Sequence, residues 1–250
     1  MSTLEPDLYR RGARTAIACW AEYARTTPAA VVHRLPGVAV GVFPEGPERE
    51  VFNNAIVEHG LTGAARSAAV DAAAEAYAGA GVTSYAVWVH ESDAAMCDEL
   101  TDRGFVHQET TWAMGRSLDD LPATGSGVDL APDDWAEYLR ILELPTGLLV
   151  GADPSSFHVL TARWQGVGAA TAMAFDHEDD CGLYNIGTLE GARRHGLSTA
   201  LVVLHLHHAR ARGRRTATLQ ATEMARRVYG SAGFRDLGRI LEFGPPQKIA

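Results

Sequence analysis

Residues 193–199, Arg-Arg-His-Gly-Leu-Ser-Thr, combine residue types that can hold an anion. Two arginines precede a glycine, and the apolar-periodic segment from Leu197 onward predicts a long helix. The first turn of a helix leaves backbone N–H groups without intrahelical partners, and the aligned peptide dipoles make that end partly positive. With guanidinium groups alongside, such a turn suits a pyrophosphate. Between Glu190 and Glu223 there is no carboxylate, whereas six arginines fall there, in a chain of formal net charge −9. A second candidate is Tyr229, which ends a short helix just before Gly233-Phe234.

The elements that must position these residues follow from periodicity. An apolar strand ends at Thr188, the polar turn and long helix come next, and a second apolar strand leads to the helix of Tyr229. Upstream, residues 7–26 predict an amphipathic helix with Tyr9, Ala13, Ile17, Trp20 and Tyr23 on one face. Two strands flank Pro36-Gly37, and a further strand runs through Val51 to Val57. An alanine-rich helix covers about 62–80, a strand 82–90, a helix 92–103 and a strand 105–115. Residues 119–127, DDLPATGSG, read as a linker. Asp133–Leu142 is expected to be helical behind Pro132, with a hairpin around Trp164 and a last strand over 234–243. The alternation is mixed α/β.

Acidic balance and a pI near 5.5 argue against general nucleic-acid binding and favour a cationic small partner. Cys19, Cys97 and Cys181 are odd in number and widely spaced, with neither a disulfide framework nor metal-ligand spacing. Reduced thiols, a cytoplasmic location and no metal are therefore expected. The first residues lack the apolar core of a signal peptide, and no run approaches membrane-spanning length.

The chain repeats itself. Residues 193–200, RRHGLSTA, have a faint copy in VEHGLTGA at 57–64; YNIGT at 184–188 matches FNNAI at 52–56; GSAGF at 230–234 matches TDRGF at 101–105. The matches keep their order, so two copies of one α/β unit are expected. They are unequal. Val57 and Glu58 stand where the second copy has Arg193 and Arg194, and Leu100 stands where it has Tyr229. A carboxylate at an anion-cradling turn repels its ligand. Chemistry is therefore expected in the second copy.

These residues resemble the GNAT superfamily of acyl-CoA-dependent N-acyltransferases. The family signature Arg/Gln-x-x-Gly-x-Gly/Ala reads here Arg193-Arg194-His195-Gly196-Leu197-Ser198, and Tyr229 before Gly233-Phe234 matches the family's tyrosine. The resemblance implies an α/β fold of two tandem GNAT-like domains, each a mixed, mostly antiparallel sheet flanked by helices. A degenerate domain would span 1–118, the linker 119–127, and the catalytic domain 128–250. It implies an enzyme moving an acetyl or other acyl group from CoA to the primary amine of a small molecule by direct transfer. Acetyl-CoA or another acyl-CoA would be the donor, without a metal, nucleic acid or membrane partner, in a monomer or homodimer. Transfer of another acyl-like group such as formimidoyl, or a non-catalytic module that binds a CoA ester, are the alternatives.

By position, Ile186, Gly187 and Thr188 would pair with the pantetheine arm. The turn Arg193, Arg194, His195, Gly196, Leu197, Ser198 and Thr199 would hold the pyrophosphate. Tyr229, as a phenol with pKa of about 10, would protonate the leaving thiolate. Two residues depart from the family pattern: Ser198 replaces Gly or Ala, and Thr222 replaces an asparagine that contacts the donor in many members. Thr222 is also placed to cap the following helix.

On the acceptor side, Asn53, Asn54, Glu109 and Asn185 are the candidates, with local backbone bonding as the other reading of the asparagines. No general base is named. Residues 176–179, Asp-His-Glu-Asp, read as a solvated hairpin tip; His205, His207 and His208 as a surface rim of the long helix; and Cys181 as packing.

Overall fold

The computed structural model describes residues 4–45, 52–124, 127–131, 135–144 and 155–246. Helix α1 (Leu4–Thr26) is followed by the hairpin β1 (Val31–Leu35) and β2 (Val38–Val42) about Gly37, whose φ of 79° suits glycine. Then come β3 (Asn54–Val57), α2 (Gly63–Gly79), β4 (Ala86–His90), α3 (Ala94–Asp102) and β5 (Val106–Ser117). Helix α4 (Trp135–Ile141) leads to the hairpin β6 (Phe157–Trp164) and β7 (Val167–His177). The turn between them places Gln165 and Gly166 both at positive φ, which matches the twist of the flanking strands. Strand β8 (Asp180–Thr188), a 3₁₀ turn (Glu190–Ala192), α5 (Leu197–Ala211), β9 (Thr216–Ala221), α6 (Glu223–Ser231) and β10 (Arg235–Gly244) complete the chain. The expected starts of β3 at Val51 and of α4 at Pro132 lie outside the described residues.

The architecture is α/β, a mixed sheet flanked by helices. Ten strands follow the hydrogen-bonded order β1-β2-β3-β4-β10-β5-β9-β8-β7-β6, one sheet where two were expected. The chain divides into two compact units. One comprises Met1–Ala16 with Ala113–Leu237, the other Ile17–Trp112 with Gly238–Ala250. Strands β5 and β10 each begin in one unit and end in the other. Among the described residues, no helix is long and apolar enough to cross a membrane.

In the unit of Ile17–Trp112 and Gly238–Ala250, α2 and α3 cover strands rich in β-branched residues. Val38, Val40, Val42, Val57, Val87 and Val89 share a core with Tyr77 and Tyr85, whose rings stack at 4.0 Å. On α1, Ile17, Trp20 and Tyr23 are buried as their spacing requires, and Trp20 meets Trp88 edge-on. Strand β3 pairs in parallel with β4 across the α2 crossover.

In the other unit, β8 pairs antiparallel with β7 and in parallel with β9. Alanines 162, 170 and 172 form the sheet surface under α5 and meet Leu197 and Leu201. Small side chains there let the helix approach closely, so β8 and the turn that starts α5 are held to one geometry. The β8/β9 pairing is pinned at its start by the fully buried Asp180. Its carboxylate accepts from the hydroxyls of Thr15 (2.8 Å), Thr216 (2.7 Å) and Thr218 (2.6 Å).

Asp180→Ala leaves the Thr15 and Thr218 hydroxyls buried without this acceptor. It is expected to lower unfolding free energy by roughly 2–4 kcal/mol, as a lower denaturant midpoint at unchanged slope. A midpoint within error of the wild type would show that the carboxylate is not the anchor of this pairing.

Candidate active site

Pairing between β8 and β9 runs from Asp180↔Thr216 to Leu183↔Leu219 and then stops, although both strands continue. Beyond Leu183, β8 remains paired with β7 alone, through Thr171↔Gly187 to Ala170↔Thr188. The two parallel strands thus part where Tyr184–Thr188 begins. A bulge sits at the same place: Asn185 and Ile186 on β8 lie between the pairs Met173↔Tyr184 and Thr171↔Gly187, opposite Ala172 alone. Asn185 takes φ 49°, a left-handed conformation that asparagine tolerates better than most residues. Its Nδ2 donates to the Tyr138 hydroxyl of α4 at 2.9 Å. At Gly187, a Cβ would lie 2.5 Å from the tip of the Leu142 side chain, so the leucine packs closely over the strand there.

At the end of β8 the chain makes the anion-type turn. Arg194 and Gly196 both have positive φ, and Gly196 precedes α5 without any side-chain cap. Among the described residues, no carbonyl or side chain accepts from the backbone N–H groups of residues 194–199; the amides on either side, at Arg193 and Ala200, bond to Glu190 and Gly196. Six consecutive donors are therefore without an acceptor among the described residues, with no acidic residue in the first turn of α5. Arg193 and Arg194 are exposed. Arg193 Nε donates to the Thr188 carbonyl at 3.3 Å. Ser198 is tied to Thr188, hydroxyl to hydroxyl at 2.5 Å, which braces the turn against the strand. His195 stacks on Trp164 at 3.9 Å between ring centroids, a contact that spacing alone does not reveal.

Tyr229 is buried at the end of α6, edge-on to Phe234, and burial pushes its phenol up to about 12. Its hydroxyl makes no hydrogen bond among the described residues, yet it is not a sealed orphan. The helix is held at both ends. Thr222 accepts from the Ala225 N–H at 3.3 Å, so the capping half of its reading is realised. At the other end, the buried Arg116 guanidinium donates to the Ala232 carbonyl. Gly233 makes room for it, since a Cβ would lie 2.5 Å from that guanidinium. Sequence reasoning missed Arg116 because it stands on β5, more than a hundred residues from Tyr229.

The acceptor candidates divide between the units. Asn185 shares a unit with Tyr229 and the turn; Asn53, Asn54 and Glu109 belong to the other. Asn53 exchanges two bonds with the Phe43 backbone, accepting from its N–H at 2.8 Å and donating to its carbonyl at 3.2 Å. Asn54 donates to the Phe52 carbonyl. Glu109 is half-buried.

Three readings of the sequence need correction. His205 is no surface residue: it is fully buried and bonds the Ala172 carbonyl, because the face of α5 on which it lies turns toward β7. His207 bonds the Pro122 carbonyl. Asp176 does not belong to a solvated tip. It lies within β7, paired with Arg212 at 2.7 and 2.9 Å; burial raises its pKa, but Arg212 pulls it below the usual carboxylate range. Cys181 is packing, as expected, with burial raising its thiol well above normal. Among the described residues, no group of three or more His, Cys, Asp or Glu side chains could hold a metal ion.

Residues 121–234 match the model of the acetyltransferase (GNAT) family, a span containing the bulge, the turn and Tyr229. No curated protein matches the sequence. Similar solved structures include a GCN5-related N-acetyltransferase from Kribbella flavida, at 17% identity and TM-score 0.72, covering 94% of this chain and 95% of that one. Another, from Sphaerobacter thermophilus, has 16% identity and TM-score 0.63 over 83% and 80%. A tandem GNAT protein from the clavulanic acid biosynthesis pathway has 15% identity and TM-score 0.58 over 94% of each chain. At such identities the likeness establishes the fold. The family match covers just under half of the chain, and within that span the sequence is similar to GNAT acetyltransferases.

Burial holds the His205 imidazole neutral, its pKa lowered to about 3, while the unfolded chain protonates it near 6.5. Its contribution is complete above about pH 6.5 and is lost as pH falls toward 3. In acid-unfolding curves, His205→Leu should therefore lose less stability than wild type across that window; parallel curves would show that this histidine is accessible to protons.

Proposed function

We propose that this protein transfers an acetyl group from acetyl-CoA directly to the primary amine of a small molecule. The run of six unpartnered amides at 194–199, beside Arg193 and Arg194, carries this reading. These donors would hold the pyrophosphate, and the backbone of Ile186, Gly187 and Thr188, free of β9, would receive the pantetheine arm. The thioester would then lie along parted strands that lead toward α6.

The chemistry follows from these positions. The neutral amine attacks the thioester carbon, and a β8 backbone N–H at the bulge stabilises the oxyanion. As the C–S bond breaks, Tyr229 gives its phenolic proton to the departing thiolate. The phenolate, strongly basic in its buried setting, retakes a proton from the nitrogen that has become the amide. Thiol and amide leave with the balance closed. The ammonium form of the acceptor must lose its proton beforehand, and no residue is assigned that role. Asn185 is the retained acceptor contact in this unit.

The chain reads as two copies of one unit, the first degenerate. The order helix, hairpin, strand, helix, strand, helix, strand occurs twice, and β3/β4 repeats the parallel pairing of β8/β9. In the first copy, the turn equivalent to His195-Gly196 is His59-Gly60. Its Gly60 N–H donates to the Asp93 carboxylate at 2.7 Å, so a side chain already occupies the place of the anion. One donor molecule per chain is the consequence.

Calorimetric titration with CoA should accordingly give a stoichiometry near one, and replacing Arg193 and Arg194 together by Glu should weaken binding about tenfold or more. Undiminished affinity would remove the donor from this turn. Tyr229→Phe should bind CoA as wild type does and lose about a hundredfold in kcat. Equal turnover in the two proteins would exclude the phenol as proton donor.

A further inference from the structure

His205 is placed where a histidine costs stability. It is fully buried on α5, and its Nε2 lies 3.1 Å from the Ala172 carbonyl oxygen. A carbonyl can only accept, so Nε2 carries the proton and Nδ1 is the bare lone pair. That Nδ1 is buried without any hydrogen-bond partner among the described residues. An unpartnered buried polar atom is unfavourable, and a leucine between Leu201, Val202 and Leu206 would avoid it. The one bond that the imidazole does make is therefore the informative one.

Its acceptor, Ala172, is the single β7 residue opposite the bulge at Asn185 and Ile186. A bulge disrupts the ladder locally and bends its strand. There a helix side chain can reach a main-chain carbonyl that regular pairing would keep within the sheet. The bulge also marks where β8 leaves β9, and it sets the direction of the backbone from Ile186 to Thr188.

We infer that His205 is a positioning residue for acyl transfer: by gripping the Ala172 carbonyl it fixes the bulge, and with it the β8 N–H groups that meet the thioester carbonyl. This rests on the acetyl-transfer reading above. Main-chain oxyanion donors work only when already in place, and a displacement of about 1 Å can cost about a hundredfold in rate. The neutral imidazole acts here as a strut and takes no part in proton transfer.

Three variants test it. His205→Gln keeps an N–H donor near the Nε2 position; His205→Asn is too short to reach Ala172; His205→Leu has no donor. Gln is expected to retain kcat within about threefold. Asn and Leu should lose about ten- to a hundredfold in kcat with acceptor KM and CoA affinity little changed. The Leu protein should meanwhile melt at or above the Gln protein. Amide hydrogen exchange at Ile186 and Gly187 should speed up in Asn and Leu and not in Gln. A kcat that follows thermal stability across the three variants, or unchanged kcat and exchange in Leu, would overturn the assignment and leave His205 as packing. Should Leu fail to fold, Asn against Gln decides the same point. Wild type without acetyl transfer would overturn the functional reading instead, while exchange at Ile186 and Gly187 would still decide whether His205 holds the bulge.

Discussion

Everything at the site depends on β8 leaving β9 after Leu183 while staying paired with β7. A strand with both neighbours in register offers a ligand no backbone. A strand without neighbours has no fixed position. Here β8 is held at its start by Asp180 and its three threonines, bent at Asn185, and ended by the turn into α5. Each restraint acts on a different part of the strand. Together they leave one side of Tyr184–Thr188 unpaired by β9 without loosening it.

The same economy of restraint appears around Tyr229. Its helix is short and polar on one face, and its own sequence secures only one of its ends. Thr222 satisfies a donor at one end, and Arg116 satisfies a carbonyl at the other, where the helix dipole favours a cation. The phenol is thereby buried enough to stay neutral, with its hydroxyl still unclaimed.

The contrast between the two turns shows how small a change separates a run of unpartnered amides from a closed structural loop. His195-Gly196 and His59-Gly60 are alike in sequence and both place glycine at positive φ. In one, the amides at 194–199 are unpartnered beside two arginines; in the other, Glu58 follows the strand and Asp93 accepts from the glycine amide. The carboxylate does in the second what a phosphate would do in the first. Glu58 was visible as a local charge difference. Asp93 was not, because it lies 33 residues on and meets Gly60 only through the fold.

What the sequence determined by itself was local. Period and punctuation placed nearly every element, including both hairpins, α5 and the helix of Tyr229, because apolar spacing, Gly and Pro act over a few residues. The arginine-glycine turn was legible for the same reason. Tertiary structure alone decided the strand order, the bulge opposite Ala172, the stacking of His195 on Trp164, the burial of His205 and the pairing of Asp176 with Arg212. His205 shows why. Its neighbours on α5 are His207 and His208, and by composition the three look like one polar rim; which of them enters the core depends on the face of α5 that the alanines of the sheet admit, and that face is set by packing between segments far apart in the chain.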